Sequence, residues 1–141
     1  GFVTACYSGV AVDLIARGTR GKSGTELMYR TLKQRRRLVP KNQARPGDIA
    51  FFHNTWDKNR NRVRDDRFTH VALVIDVDPD GRLHVLHYAS GRVKRGYIHP
   101  RRPNEARDSS SGRVLNSHIR RGGGRTLMGQ LMFAVGRPLP R

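Results

Sequence analysis

Residues 69–90 read THVALVIDVDPDGRLHVLHYAS, and this stretch decides the fold class. Two runs rich in Val, Leu and Ile flank DPDG at Asp78–Gly81. Branched apolar side chains suit a pleated, half-buried surface. Proline presets φ at the second position of a turn, and glycine supplies the positive φ that closes it. The stretch therefore predicts an antiparallel hairpin, THVALVIDV against RLHVLHYAS. Upstream, RPGD at Arg45–Asp48 is a second turn, feeding the apolar run Ile49–Phe52 as another strand. Downstream, Arg92–Ile98 adds a fourth strand. The segment from His53 to Phe68 is polar and turn-rich, a long excursion between strands.

The N-terminal third is helical in pattern. GFVTACYSGV places Phe2, Cys6 and Val10 on one face of a helix, with Gly9 near its end. SGTE at Ser23–Glu26 is a capping box, Ser23 at the N-cap and Glu26 at N3, opening a helix through Met28 and Leu32 to about Arg36. Pro40 closes this region, and Pro100–Gly112 is a loop. Near the C-terminus a glycine-arginine joint, RRGGGR at Arg120–Arg125, precedes a short helix around Thr126–Val135. Helices followed by an antiparallel sheet make an α+β domain. Its body is residues 1–120, and residues 121–141 supply the joint and last helix of the same domain.

Composition narrows the partners. The formal charge is +17, and only five of the 28 basic residues are lysine. Such a field favours polyanionic surroundings, either nucleic acid or the phosphate-rich polymers and lipids of a bacterial envelope. The runs Arg35–Arg37, Arg101–Arg102 and Arg120–Arg121 read as solvated faces. No regular interleaving of aromatics marks a base-stacking surface, and no nucleic-acid-binding signature is present. No apolar run approaches the roughly 18 residues of a membrane span. The single cysteine, Cys6, excludes an internal disulfide and a cysteine-rich zinc site.

Three features occur in a fixed order: RPGDIAFF, a turn feeding a strand; THVALVIDV, a strand opening on His70; and VLHYAS, the next strand, carrying His87. This order resembles the NlpC and CHAP families of papain-like cysteine peptidases and amidases, which cut bacterial cell-wall peptides. The resemblance spans nearly the whole chain and implies a papain-like domain, with helices packed on a small antiparallel sheet. It implies His70 as general base and His87 as the residue that orients it. It implies no cofactor or metal, a peptidoglycan peptide as substrate, a monomer, and a secreted or envelope location in a bacterium. The nucleophile of these families sits in Asp-Cys-Ser-Gly-Phe. Gly1-Phe2-Val3 matches the end of that motif, so the expectation is a cut edge at Gly1, with the nucleophile's place immediately ahead of it and this fragment inactive.

The chemistry agrees with that reading. A thiolate is favoured at a helix N-terminus, an imidazole takes the thiol proton, and a second polar group holds the imidazole in one tautomer. His84 and His87 are an odd number of residues apart and must face opposite sides of a strand, so only one of them can meet His70. Cys6, stacked four residues after Phe2, reads as a buried core residue rather than a nucleophile. His53, immediately after the IAFF run, reads as an exposed loop residue, with the cleft mouth as its alternative place, and His84, His99 and His118 carry no signal. Asp57, Asn59, Asn61 and Asp65 fall at alternate positions, as in a calcium loop. Arg62 and Phe68 stand where that loop needs glycine and glutamate, so the segment reads as a basic solvated loop. Two other classes remain open: a basic nucleic-acid-binding protein, and a non-catalytic cell-wall-binding relative.

Overall fold

The DPDG hairpin closes as its turn residues require. Gly81 takes φ +96°, its N–H donates to the Asp78 carbonyl, and the Asp78 N–H donates to the Arg82 carbonyl at 2.9 Å. The strands it joins are β3, His70–Val77, and β4, Leu83–Ala89. A two-residue turn at Ser90 and Gly91, both with positive φ, leads from β4 into β5, Arg92–Ile98. In this computed structural model residues 1–7, 14–55, 67–119 and 126–139 are described. The remaining elements are α1 (Phe2–Cys6), α2 (Gly24–Gln34), β1 (Leu38–Val39), a 3-10 turn at Lys41–Gln43, β2 (Ile49–Phe52), α3 (Met128–Leu131) and β6 (Met132–Gly136). The molecule is a mixed α/β fold built on one six-stranded sheet, ordered β1-β6-β2-β3-β4-β5, with every neighbouring pair antiparallel.

Both faces of the sheet are covered at its centre. Ala50, Phe52, Ala72, Val74, Val85 and Ile98 meet Met128 and Leu131 of α3 on one face. Ile49 and Phe51 meet Val3 of α1, Tyr7 just after it, and Met28 and Leu32 of α2 on the other. All four residues of β2 are fully buried, which is why its run is apolar without alternation. Each such Phe or Ile contributes on the order of 1.5–3 kcal/mol.

Helix α2 begins at the expected Ser23 N-cap, with only the serine half of the capping box formed. Ser23 Oγ accepts from the Glu26 N–H at 3.2 Å. The Glu26 carboxylate reaches Lys22 N–H rather than that of Ser23, at 3.1 Å, and also pairs with Arg30 at 2.7 Å. The helix stops at Gln34 and not Arg36, because Arg36 turns into the left-handed region (φ +57°) while Arg37 N–H returns to the Leu32 carbonyl at 2.8 Å.

Three expectations are corrected. Thr126–Val135 is not a helix: only Met128–Leu131 is helical, and Met132–Gly136 is a strand seated between β1 and β2. A short apolar run satisfies helix and buried strand equally, and here two open strand edges decide it. Gly136 fits this place because a Cβ there would collide with Leu32. Second, α1 ends at Cys6, and the residues buried here are Val3 within it and Tyr7 just after it. Cys6 is therefore exposed, not part of the core. The Tyr7 hydroxyl donates to the Gly47 carbonyl, which locks the inward face one position away from the one expected. Val10, expected on the same face as Cys6, lies outside the described residues. Third, β1 and the 3-10 turn flank Pro40 where no element was expected. Among the described residues, no helix is long and apolar enough to cross a membrane.

Candidate functional site at the β3–β4 end of the sheet

His70 and His87 are brought together by register. Leu73 pairs with Leu86 across β3 and β4, which sets His87 opposite Ala72 and diagonally across from His70. Diagonal neighbours on one face are within reach of long or aromatic side chains. His70 Nε2 lies 2.8 Å from His87 Nδ1, the rings edge to face at 85°. His84 points the other way and binds the Asp78 carboxylate at 2.9 Å, as strand parity requires. The side chains of His70 and His87 thus share one sheet face, on adjacent antiparallel strands.

The entrance to β3 is held rigidly. Thr69 Oγ1 accepts from both the N–H and the hydroxyl of Thr55, at 2.9 and 2.8 Å. Just before it, Phe68 sits at φ +53°, a strained setting for a bulky residue. Its N–H donates to His53 Nδ1 at 2.8 Å, and its ring packs against Tyr29, His53 and Phe133. His53 is itself stacked on Phe133 at 3.6 Å. Rather than lining the cleft or sitting free in a loop, His53 clamps the segment that delivers His70. Burial, and secondarily the Arg67 guanidinium, hold its pKa down.

Burial also depresses both site imidazoles. His70 is pushed down from 6.5 to about 4, first by desolvation and then by His87. His87, only 6% exposed, is lowered by desolvation and then by Lys94, its cross-strand partner in β5. Both rings are therefore neutral at pH 7. If His70 Nδ1 carries the lone pair, its Nε2–H donates to His87 Nδ1, and the remaining proton of His87 sits on Nε2. That tautomer pair leaves His70 Nδ1 as a base.

A cleft of about 310 Å³ opens beside His70, bounded by Gly1 and Phe2 at the start of α1, Ile15, Met28 of α2, and Tyr88. A second hollow of about 290 Å³, lined by Thr55, Ser90 and Ile119, shares Thr69, His70 and Tyr88 with the first. His70 thus stands where two hollows meet, and the N-terminus of α1 borders one of them. Cys6 lines neither, opening instead on a separate hollow with Tyr7, Gly47, Leu73 and Leu139.

The sequence pattern located His70 and His87, but not Thr55, Thr69 or the cleft walls Ile15, Met28 and Tyr88. These act through tertiary neighbours, which no local spacing in the sequence records. The calcium-like segment Asp57–Asp66 lies outside the described residues. Among the described residues, no group of three His, Cys, Asp or Glu side chains is placed to hold a metal. No protein-family model, curated protein or solved structure matches the chain.

Proposed function

We propose that this chain is a papain-like cysteine hydrolase domain of the NlpC/CHAP kind, cutting amide bonds in peptidoglycan peptides. One observation carries the reading: His70 and His87 in 2.8 Å contact at a cleft that also holds the N-terminus of α1. In the motif that this chain resembles, the thiol precedes the Gly-Phe pair, which places it beside Gly1 on the cleft border. The imidazole beside it activates the thiol. The thiol proton passes to His70 Nδ1 and the thiolate adds to the scissile carbonyl. The amine leaves with the proton from His70. Water, deprotonated by His70, then cleaves the thioester and regenerates the thiol. His87 holds His70 in the tautomer this sequence of transfers needs. In this reading the domain works as a monomer outside the bacterial membrane, where its arginine-rich surface draws it to anionic envelope polymers.

The test is to place Asp-Cys-Ser ahead of Gly1 and measure release of amino groups from purified peptidoglycan. Hydrolysis should appear in the extended protein and persist with Cys6→Ser. It should vanish when the added cysteine is replaced by alanine. His87→Ala should lower kcat strongly, and His87→Asn should recover part of it. Hydrolysis that depends on Cys6, or that is indifferent to His70→Ala, overturns the reading.

A further inference from the structure

The cleft beside His70 differs in character from the rest of the surface. Although the chain carries a formal charge of +17, no charged side chain lines this cleft among the described residues. Its walls are Phe2, Ile15, Met28, Val71 and Tyr88, with threonine hydroxyls between them. Helix α2 sorts its residues accordingly. Gly24, Thr25 and Met28 face the cleft, while Arg30 and Lys33 border a different hollow with Arg20. Exposed apolar surface is concentrated at the same place. Of the three large hydrophobic residues exposed among the described residues, Ile15 at 39% and Tyr88 at 54% stand on this cleft, and Val93 does not.

From this arrangement we infer that the cleft selects substrates by a neutral, apolar residue next to the scissile bond, with Ile15, Met28 and Tyr88 as the specificity-determining walls. The inference rests on the hydrolase reading, in that it takes the cleft as the substrate's seat. A carboxylate or ammonium group entering these walls would lose its hydration with no side chain of opposite charge, among the described residues, to replace it. An aliphatic or aromatic side chain loses nothing of the kind and covers Ile15 and Tyr88 from water. The volume of about 310 Å³ lies at the small end of ligand pockets, so it suits one large side chain with its flanking amides and not a longer segment.

Binding tests this without any turnover. The chain, acetylated at Gly1 so that no α-ammonium stands on the cleft border and labelled at its methyl groups, is titrated by NMR with N-acetyl-leucine amide, N-acetyl-glutamate amide and N-acetyl-lysine amide. The leucine compound should shift the Ile15 and Met28 methyl signals and bind at least about tenfold more tightly than either charged compound. Ile15→Glu, at an exposed rim position that folding tolerates, should weaken the leucine compound and favour the lysine one. Met28→Leu should preserve the order. Equal binding of all three, preference for a charged compound in the unaltered protein, shifts confined to other residues, or no binding up to about 50 mM would each overturn the inference. Because the readout is affinity, selective binding in an Asp-Cys-Ser-extended protein that fails to hydrolyse refutes the hydrolase reading alone. Hydrolysis indifferent to side-chain charge refutes the selectivity alone.

Discussion

Two neutral imidazoles meeting nitrogen to nitrogen share a single proton between them, and adding a second proton, with its positive charge, in that buried place is costly. This sets the acid behaviour of the protein. The folded His70 binds its proton only near pH 4, whereas its ordinary value is 6.5, and His87 is shifted the same way. Between those two values the unfolded chain holds more protons than the folded one, so stability falls as pH drops through the window and levels off below it. The slope is at most about 1.4 kcal/mol per pH unit for each group. Urea midpoints measured from pH 7.5 to pH 4 should decline, and the His70→Gln, His87→Gln double substitution should flatten the decline. An undiminished slope in that variant would place the titrating groups elsewhere. Strand parity showed only that one of His84 and His87 could face His70, and it was the resemblance that selected His87. Cys6 was misread because the helix phase depends on Tyr7 reaching the Gly47 carbonyl, a contact across the fold that no local spacing announces.

Elements differ in how much of themselves the sequence shows. Strands β2 to β5 and the start of α2 each carry their own signal: turn glycines, a proline and a serine cap. Ser23→Ala, removing the bond to Glu26 N–H, should cost about 1 kcal/mol. By contrast, β6 carries a signal that helix and strand share, and its identity comes from the vacant edges of β1 and β2 on either side. Gly136 marks the difference, because in a helix alanine would be welcome there. In the strand, Gly136→Ala drives a methyl into Leu32, which is 1% exposed, and should cost about 1–3 kcal/mol. Chemical denaturation of both variants checks the pair, and a stabilised Gly136→Ala protein would speak for the helix instead. Similar logic governs α3, where Gly129 allows Asn116 and the Pro103 backbone to approach. Asn116, 1% exposed, accepts from His99 N–H and donates to the Arg102 and Glu105 carbonyls. That loop is thereby tied to the sheet by side-chain bonds a hydropathy pattern does not record.

At the scale of the whole molecule, the sheet is assembled out of sequence order. Strand β6 joins β2 at Ile49–Phe52 and β1 at Leu38–Val39, and Arg137 adds a buried-side ion pair to Asp48 at 3.0 Å. During synthesis a ribosome releases residues 38–98 well before residues 132–136 leave its exit tunnel. Throughout that interval β1 has no neighbour and β2 presents a bare edge, with Phe52 lacking the cover of Met128 and Leu131, a surface suited to chaperones or to unwanted self-pairing. The hairpins of β3, β4 and β5 can form as they emerge, but closure of the domain must wait until Gly136 has left the tunnel. Nascent chains stalled with residue 125 as the last outside the tunnel should therefore remain protease-sensitive around Leu38–Phe52. Those stalled beyond residue 141 should become resistant in one step. Equal resistance at both lengths would mean that the sheet closes without its sixth strand.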